Sequence, residues 1–343
     1  MKKAAGMRAV AVHLGVSLMT VSLALRHDRR IPPRTRARVE AAARELGYEP
    51  DPRLASLMSY MRRRGPATQR GVLAWINPYE DRGLLWDTPT FRLFFEGAAE
   101  RATLLGYKLE EFWLRAPGMN GARLSRILHA RGVPGLILAP RRTQDPPPDL
   151  DWSAFACAVV GSTRYTPNLH RVCNHQFQGM MLALQTLRQQ GWTSIGVALQ
   201  RKPAEVSDNS LFAAFAVFRE SHAHDLRLSA FYAQEFTEVG FAEWVSECRP
   251  EVVVSLHPPV RAWLKRLPRA LVRGVGYVSL DLASPAQGVA GIDQHSRLVG
   301  AGAVDIVVQQ VHADERGVPD RHRLLLIEGS WTPGRSARPR IRR

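Results

Sequence analysis

The sequence predicts an α/β protein built from two unlike parts: a small, basic, all-helical amino-terminal unit and a large unit of two similar lobes with parallel sheets. Three observations carry this expectation. Short apolar runs alternate with helical patterns from residue 71 onward, helical signals alone fill the first 50 residues, and positive charge is concentrated at the amino-terminal end. Residues 1–70 hold 15 Lys+Arg against 5 Asp+Glu, so +10 of the formal net charge of +16 lies there and +6 is left for the remaining residues. Such an asymmetry points to a polyanionic partner, because each phosphate neutralised by Lys or Arg releases condensed counterions.

The chain has 343 residues, long enough for two or three folded units. Hydrophobic residues make up 45% and charged ones 23%, which excludes wholesale disorder. No apolar run reaches the roughly 18 residues of a membrane span. The opening MKKAAGMRAV leads into mixed sequence rather than a signal-type apolar core, so a cytoplasmic protein without a membrane partner is expected. Cys157, Cys173 and Cys248 are widely spaced, fitting neither a disulfide framework nor a paired zinc site, and read as reduced core residues.

In the first unit, MRAVAVHLGVSLMTVSLAL places Ala11, Leu14, Val16, Val21 and Leu25 where two short helices bury them against each other. Gly15 supplies the turn between them and Ser17 the N-cap of the second, which is the layout of a helix-turn-helix. A third helix starts at Pro32 and Pro33, carries the apolar stripe Val39, Ala42, Ala43 and Leu46, and stops at Gly47. Residues 1–50 thus form one domain. Beyond Tyr48, Leu54, Leu57, Met58 and Met61 lie at helical spacing behind Pro52. They fill a linker over 51–70 that closes with Arg62, Arg63, Arg64 and GPATQRG.

From residue 71 the runs GVLAWIN, YKLEEFW, PGLILAP and FACAVVGS alternate with helices near 90–105 and 121–131. The alternation then repeats. Helices near 175–190, 208–222, 237–247 and 258–267 intersperse with SIGVAL, RLSAFY, EVVVSL and GVGYVSL. This implies parallel sheets in two lobes over 71–335. A last helix near 295–312 and the strand LLLIE require the chain to cross back between lobes. The chain closes with RSARPRIRR, and its last residues, 336–343, are read as a disordered basic tail.

VAVHLGVSLMTVSLAL, TRARVEAAARELGYEPDP and LASLM together resemble the headpiece of the lactose-repressor (LacI/GalR) family of bacterial transcription regulators. The lobes, through LLLIEGSWTPGRS, resemble that family's periplasmic-binding-protein-like sensor domain. The resemblance implies a recognition helix in the major groove, with Ser17, Leu18, Met19, Thr20 and Ser22 on or beside it and Arg26 and His27 at its end. It implies a hinge helix containing Leu54 and Leu57, with Leu57 as a wedge inserted in the minor groove. It also implies a homodimer that reads a palindromic operator in double-stranded DNA, most often as a repressor.

The sensor domain implies a small-molecule effector, a sugar or sugar derivative by the resemblance, in the cleft at the carboxyl ends of the strands. That rule nominates Asn77, Tyr79, Arg141, Ser162, Asp208, Asn209, His257 and Asp281 as effector-binding residues. Two departures bear on recognition. Leu18, Met19 and Leu23 stand where the family often carries polar base readers, leaving apolar contacts to thymine methyls. Leu211 lies near the family's usual sugar-binding arginine, and Ser255-Leu256-His257-Pro258 replaces an Asn-Asp pair, so the usual pyranose clamp is missing from the sequence.

Enzymatic motifs are absent from the sequence: there is no GxxxxGK[ST], GxSxG, HExxH or paired CxxC. His222-Ala-His224-Asp225 is the one local run of metal-ligand types and reads as a polar turn, since nothing nearby completes a site. No catalytic residue, metal or cofactor is expected. The other reading open at this point is a sugar-binding carrier or sugar-modifying enzyme on the same lobes, which the basic helical module and the mixed opening sequence disfavour.

Overall fold

The computed structural model describes residues 7–17, 20–21, 24, 32–46, 71–141, 148–201, 209–283 and 288–340. The chain divides into two compact units, Met1–Thr68 and Gln69–Arg343.

In the first unit, helices α1 (Met7–Leu14) and α2 (Pro33–Glu45) flank a further helical stretch that includes Thr20, Val21 and Ala24. Val10, Ala11, Val21, Ala24, Val39, Ala42 and Ala43 form one buried cluster, with Leu14, Val16 and Leu46 against it. Small residues dominate this core because three short helices must cross closely. Gly15 adopts φ +65°, a left-handed conformation costly for residues with a Cβ, and so turns the chain after α1. The expected core is present except Leu25, which lies outside the described residues, as do Gly47 and the whole 51–70 linker.

The second unit is bilobal. Its first sheet contains β1 (Gly71–Asn77), β2 (Tyr107–Trp113), β3 (Gly135–Leu138), β4 (Ala156–Val160) and β5 (His170–Asn174), joined by β11 (Leu324–Ile327). The strand order is β11-β5-β4-β3-β1-β2, and every pairing is parallel. Helices α3 (Leu84–Asp87), α4 (Pro89–Leu104) and α5 (Gly121–Ala130) belong to this lobe. Strands covered on both faces need continuous apolar runs rather than alternation, and β3 and β4 are buried at every residue.

The second lobe contains α6 (Gln176–Gln189), β6 (Ser194–Gln200), α7 (Ser210–His222), β7 (Arg227–Ala233), α8 (Glu238–Cys248) and β8 (Val252–Ser255). It continues through α9 (Pro258–Arg266), α10 (Arg269–Val272), β9 (Gly276–Ser279) and β10 (Ala290–Asp293). The long α11 (Ser296–Ala313) returns to pack on the first lobe, whereas β12 (Ser330–Thr332) closes the second sheet. That sheet has the order β12-β10-β9-β8-β6-β7 and is parallel except for β10 against β12. The chain therefore crosses between lobes after β5, after β10 and after β11, as the last helix and strand required.

These three crossings are stitched together. The His175 amide donates to the Ile327 carbonyl at 2.7 Å, and Asn174 Nδ2 donates to the Gln294 carbonyl at 2.9 Å. The Gly329 amide donates to Gln178 Oε1 at 3.1 Å. Strand ends joined in this way form a common hinge. Helices α4 and α11 pack on one another through glycine: a Cβ on Gly97 would stand 2.0 Å from the Arg297 carbonyl oxygen, and one on Gly300 would stand 1.8 Å from that of Phe94.

Strands β5, β10 and β12 escaped the sequence reading. HRVCN has polar residues at three of its five positions, and AGID is short with a glycine. Both gain strand geometry from tertiary neighbours: His170 is 4% exposed and its Nδ1 accepts from the Arg323 amide, and Gly291 lets β10 approach β9 so closely that a Cβ would lie 2.1 Å from the Ser279 carbonyl oxygen.

The closing residues correct a second expectation. Far from trailing free, residues 336–340 dock on the second lobe. Ser336 Oγ donates to the Tyr277 carbonyl at 2.6 Å and accepts from the Ala290 amide at 2.9 Å. Ala337 is buried, and the Arg340 guanidinium lies 4.2 Å from the Trp192 ring centre while pairing with Glu251 at 2.5 Å. Burial works against ionisation of Glu251, but hydrogen bonds from the Thr193 and Ser194 amides, the Arg340 charge and the Thr193 hydroxyl outweigh it and hold its carboxyl below the usual range. The sequence showed only a run of arginines; Trp192 and Glu251, far away in the chain, make one of them a staple. Arg340→Ala is expected to cost about 1 to 2 kcal/mol of stability, the scale of one cation–π contact plus a half-exposed ion pair. Denaturant unfolding followed by tryptophan fluorescence checks it, and an unchanged midpoint would refute it.

Cys157 and Cys173 are buried, Cys248 is partly so, and all three are free thiols. Burial pushes the Cys157 thiol up, which keeps it in its unreactive protonated form. Among the described residues no helix is long and apolar enough to cross a membrane, and no group of His, Cys, Asp and Glu is placed to hold a metal ion. In the His222-to-Asp225 run, His222 Nδ1 bonds the Phe218 carbonyl and Asp225 pairs with Arg188 at 3.1 Å.

Candidate functional site

In the amino-terminal unit the turn and the start of the second helical stretch are in place. Ser17 Oγ accepts from the Thr20 amide at 3.0 Å, the reach of an N-cap to the third residue of a helix, and also bonds the Thr20 hydroxyl at 2.8 Å. Ser17 is exposed and Thr20 half-buried, at the amino-terminal end of the stretch where helix amides favour phosphate. Leu18, Met19, Ser22, Arg26, His27, Leu54 and Leu57 lie outside the described residues.

In the carboxy-terminal unit a cavity of about 760 Å³ opens between the lobes. It sits off the carboxyl ends of β3, β4, β8 and β9, as the strand-end rule requires. Arg141, Ser162, His257 and Asp281 all line it. Four of the eight nominated residues therefore converge. Thr90, Phe91, Asn174, Gln176, Arg261 and Tyr277, which the sequence reading missed, line it too. Strand ends are visible in sequence. The second turn of α9, which brings in Arg261, is not.

Asn77 and Tyr79 are corrected. Asn77 is fully buried: its Nδ2 donates to Glu111 Oε1 at 2.7 Å and its Oδ1 accepts from the Tyr79 amide at 3.1 Å. Glu111 is itself clamped by Arg82, at 2.7 Å, so this end of β1 is a closed polar knot outside the cavity lining. Tyr79, 3% exposed, stacks on Phe91 with ring centres 6.1 Å apart and so backs the cavity wall without lining it. Asn209 is also outside the cavity lining. It holds φ +56° before α7 and accepts the Tyr232 hydroxyl at 2.6 Å. Asp208 falls outside the described residues. Leu211, near the place the resemblance assigns to an arginine, is 2% exposed in the second-lobe core.

The electrostatics of the cavity follow from burial. His257 Nε2 accepts from the Gln200 amide at 3.0 Å, and burial pushes its imidazole down to about 4, so it is neutral at pH 7. Asp281 is raised above the usual carboxylate range, chiefly by burial and despite a hydrogen bond from Thr90. That bond, from Thr90 Oγ1 to Asp281 Oδ2 at 2.5 Å, spans the two lobes. The Ala283 amide also bonds the Asp281 carboxyl, and Gln176 Oε1 is a buried acceptor with no partner among the described residues. An unmet buried acceptor is costly, and one facing a cavity is met by a donor on a ligand or by water.

A helix-turn-helix unit is followed in the chain by a two-lobed unit with a polar cleft. Residues 6–51 match the model of bacterial regulatory proteins, lacI family, and the amino-terminal segment is a lacI-family domain. The carboxy-terminal unit has the periplasmic-binding-protein-like fold. The chain is similar to the transcriptional regulator CelR in complex with cellobiose, at 18% identity over 97% of this chain and 99% of that one, with a TM-score of 0.56. It is similar to the lac repressor dimer bound to operator and the anti-inducer ONPF, at 17% identity over 98% and 99% of the two chains, TM-score 0.53. A periplasmic binding protein/LacI transcriptional regulator from Alkaliphilus metalliredigens QYMF, complexed with D-xylulofuranose, aligns at 14% identity over 78% of this chain and 98% of that one, TM-score 0.53. At these identities the likeness is one of fold. No curated protein matches the sequence.

Proposed function

We propose that this protein is a transcriptional repressor that binds a palindromic operator as a homodimer and senses a small polyhydroxylated molecule in its cleft. The observation that carries the reading is the lacI-family match over residues 6–51, on a segment whose helix-turn-helix is capped by Ser17 and which lies within residues 1–70, the stretch that holds +10 of the formal net charge of +16. In this reading Ser17, Thr20 and Ser22 meet phosphate, Leu18 and Met19 touch thymine methyls, and Arg26 and His27 reach base edges or phosphate from the helix end. Leu54 and Leu57 belong to the hinge helix. Leu57 from each of two copies is pressed into a central base step, and the unstacking cost of a few kcal/mol is offset by the added contact the bend allows.

The cleft supports the sensing half of the proposal. Its volume suits a sugar-sized ligand, Phe91 offers an apolar face, and Gln176 presents an acceptor that a sugar hydroxyl satisfies. A ligand lying between Thr90 and Asp281 changes the free energy of opening the lobes by its differential affinity for the two states.

The deciding experiment is sequencing of genomic fragments retained by the purified protein at physiological salt, where nonspecific attraction is suppressed. A single two-fold motif is expected, and retention without any motif would overturn sequence-specific repression. On that motif, Leu57→Ala is expected to reduce the bend angle and specific affinity while nonspecific affinity stays nearly constant. An unaltered bend removes the wedge.

A further inference from the structure

We propose that the ligand of the cleft is an anionic polyol, a sugar bearing a carboxylate or phosphate, with Arg261 as its anion-binding residue. This rests on the reading of the cleft as the effector site. Arg261 lines the cavity and has no hydrogen-bond or ion-pair partner among the described residues, although Asp281 lines the same cavity. A guanidinium in the cavity wall without an anionic partner among the described residues leaves a place for an anionic ligand. Arg141 adds a second guanidinium to the wall, where it donates to the Arg164 carbonyl and lies 5.1 Å from the Tyr165 ring centre.

The charge balance favours an anion. Among the described lining residues two arginines face one carboxyl, whose burial favours its neutral form, and the imidazole of His257 is neutral. Three helices of 16, 14 and 9 residues also begin at the cavity: α4 contributes Pro89 and Thr90, α6 contributes Gln176, and α9 contributes Pro258. Each presents the positive end of its dipole. These helix ends alone would not define a ligand. The unmet acceptor of Gln176, Oε1, supplies the second requirement, since it calls for a donor such as a hydroxyl on the same molecule. Inorganic phosphate lacks the hydroxyl array, and a neutral sugar leaves Arg261 unpaired. A molecule carrying both satisfies every one of these groups.

Calorimetric titration of the full-length protein with matched probes tests this: D-glucose and D-galactose against the corresponding hexuronates, aldonates and 6-phosphates. At least one anionic probe is expected to bind about tenfold or more tightly than its neutral parent, the scale of one charge-assisted, partly exposed contact. Its affinity should fall with added salt. Arg261→Gln, at a partly exposed position, should erase the preference and the salt dependence without lowering the melting temperature. Ser162→Trp, which fills the cleft, should abolish binding of every probe. Neutral sugars binding as tightly as anions, or anion affinity untouched by Arg261→Gln, overturns the anion assignment while leaving the cleft as the effector site. Binding that survives Ser162→Trp overturns the cleft itself. Failure of every anionic probe at millimolar concentration sinks the proposal.

Discussion

Gly300→Ala is expected to disrupt the first lobe, lowering stability by about 3 kcal/mol or more and the melting temperature by roughly 6 to 12 °C. The added Cβ would stand 1.8 Å from the Phe94 carbonyl oxygen and 3.0 Å from the Ala98 nitrogen. These are helix backbone atoms, so no side chain can rotate away to make room. Helices α4 and α11 must separate, and α4 carries Thr90, Phe91 and Phe94 into the cleft. Ligand binding should weaken together with stability. Gly179→Ala is the informative control. It too lies inside a helix, but its new Cβ would meet only Ile292 Cγ2 at 3.5 Å, an ordinary contact. It is expected to be neutral or to stabilise by up to about 1 kcal/mol through helix propensity. Calorimetric melting of the two variants decides the matter, and equal melting temperatures would show that the glycine crossing is not as tight as described.

Removal of residues 1–68 is expected to lower operator affinity by about a thousandfold or more, to the level of nonspecific binding. The remaining unit, Gln69–Arg343, has its own cores in both lobes and should stay folded with its ligand binding intact. The truncation also discards most of the excess positive charge, so the salt dependence of residual DNA binding should flatten. Fluorescence anisotropy on the selected motif, repeated over a range of salt, reads both effects. Specific binding that survived the truncation would move DNA recognition to the lobes.

Much of this molecule is legible in one dimension because its elements are locally specified. GVLAWIN and YKLEEFW are β1 and β2 to the residue. The turn glycine, the Ser17 cap and the stripe from Val39 to Leu46 are each set by neighbours within a few positions. Arg141, Ser162, His257 and Asp281 were reachable because a ligand site in such a fold lies past strand ends, and strand ends show as the stop of an apolar run.

The failures share one cause. Asn77 and Tyr79 follow a strand end as faithfully as Asp281 does, yet Glu111, on the neighbouring strand, captures the Asn77 amide and closes that loop on itself. Arg340 looked like one more solvated cation until Trp192 and Glu251 met it. Strand β5 needed β4 and β11 beside it.

The sequence by itself determined the alternation of most strands and helices, the division into a basic helical unit and a two-lobed one, and the end of the sheets at which a ligand would lie. Periodicity, turn residues and charge density act over a few residues and need no partner to be read. Tertiary structure alone decided which strand-end residues face the cavity, that Arg261 and Gln176 join them, and that Arg340 is a staple. Those outcomes depend on which side chains meet across tens or hundreds of positions, where competition for hydrogen bonds and opposite charge selects a single partner.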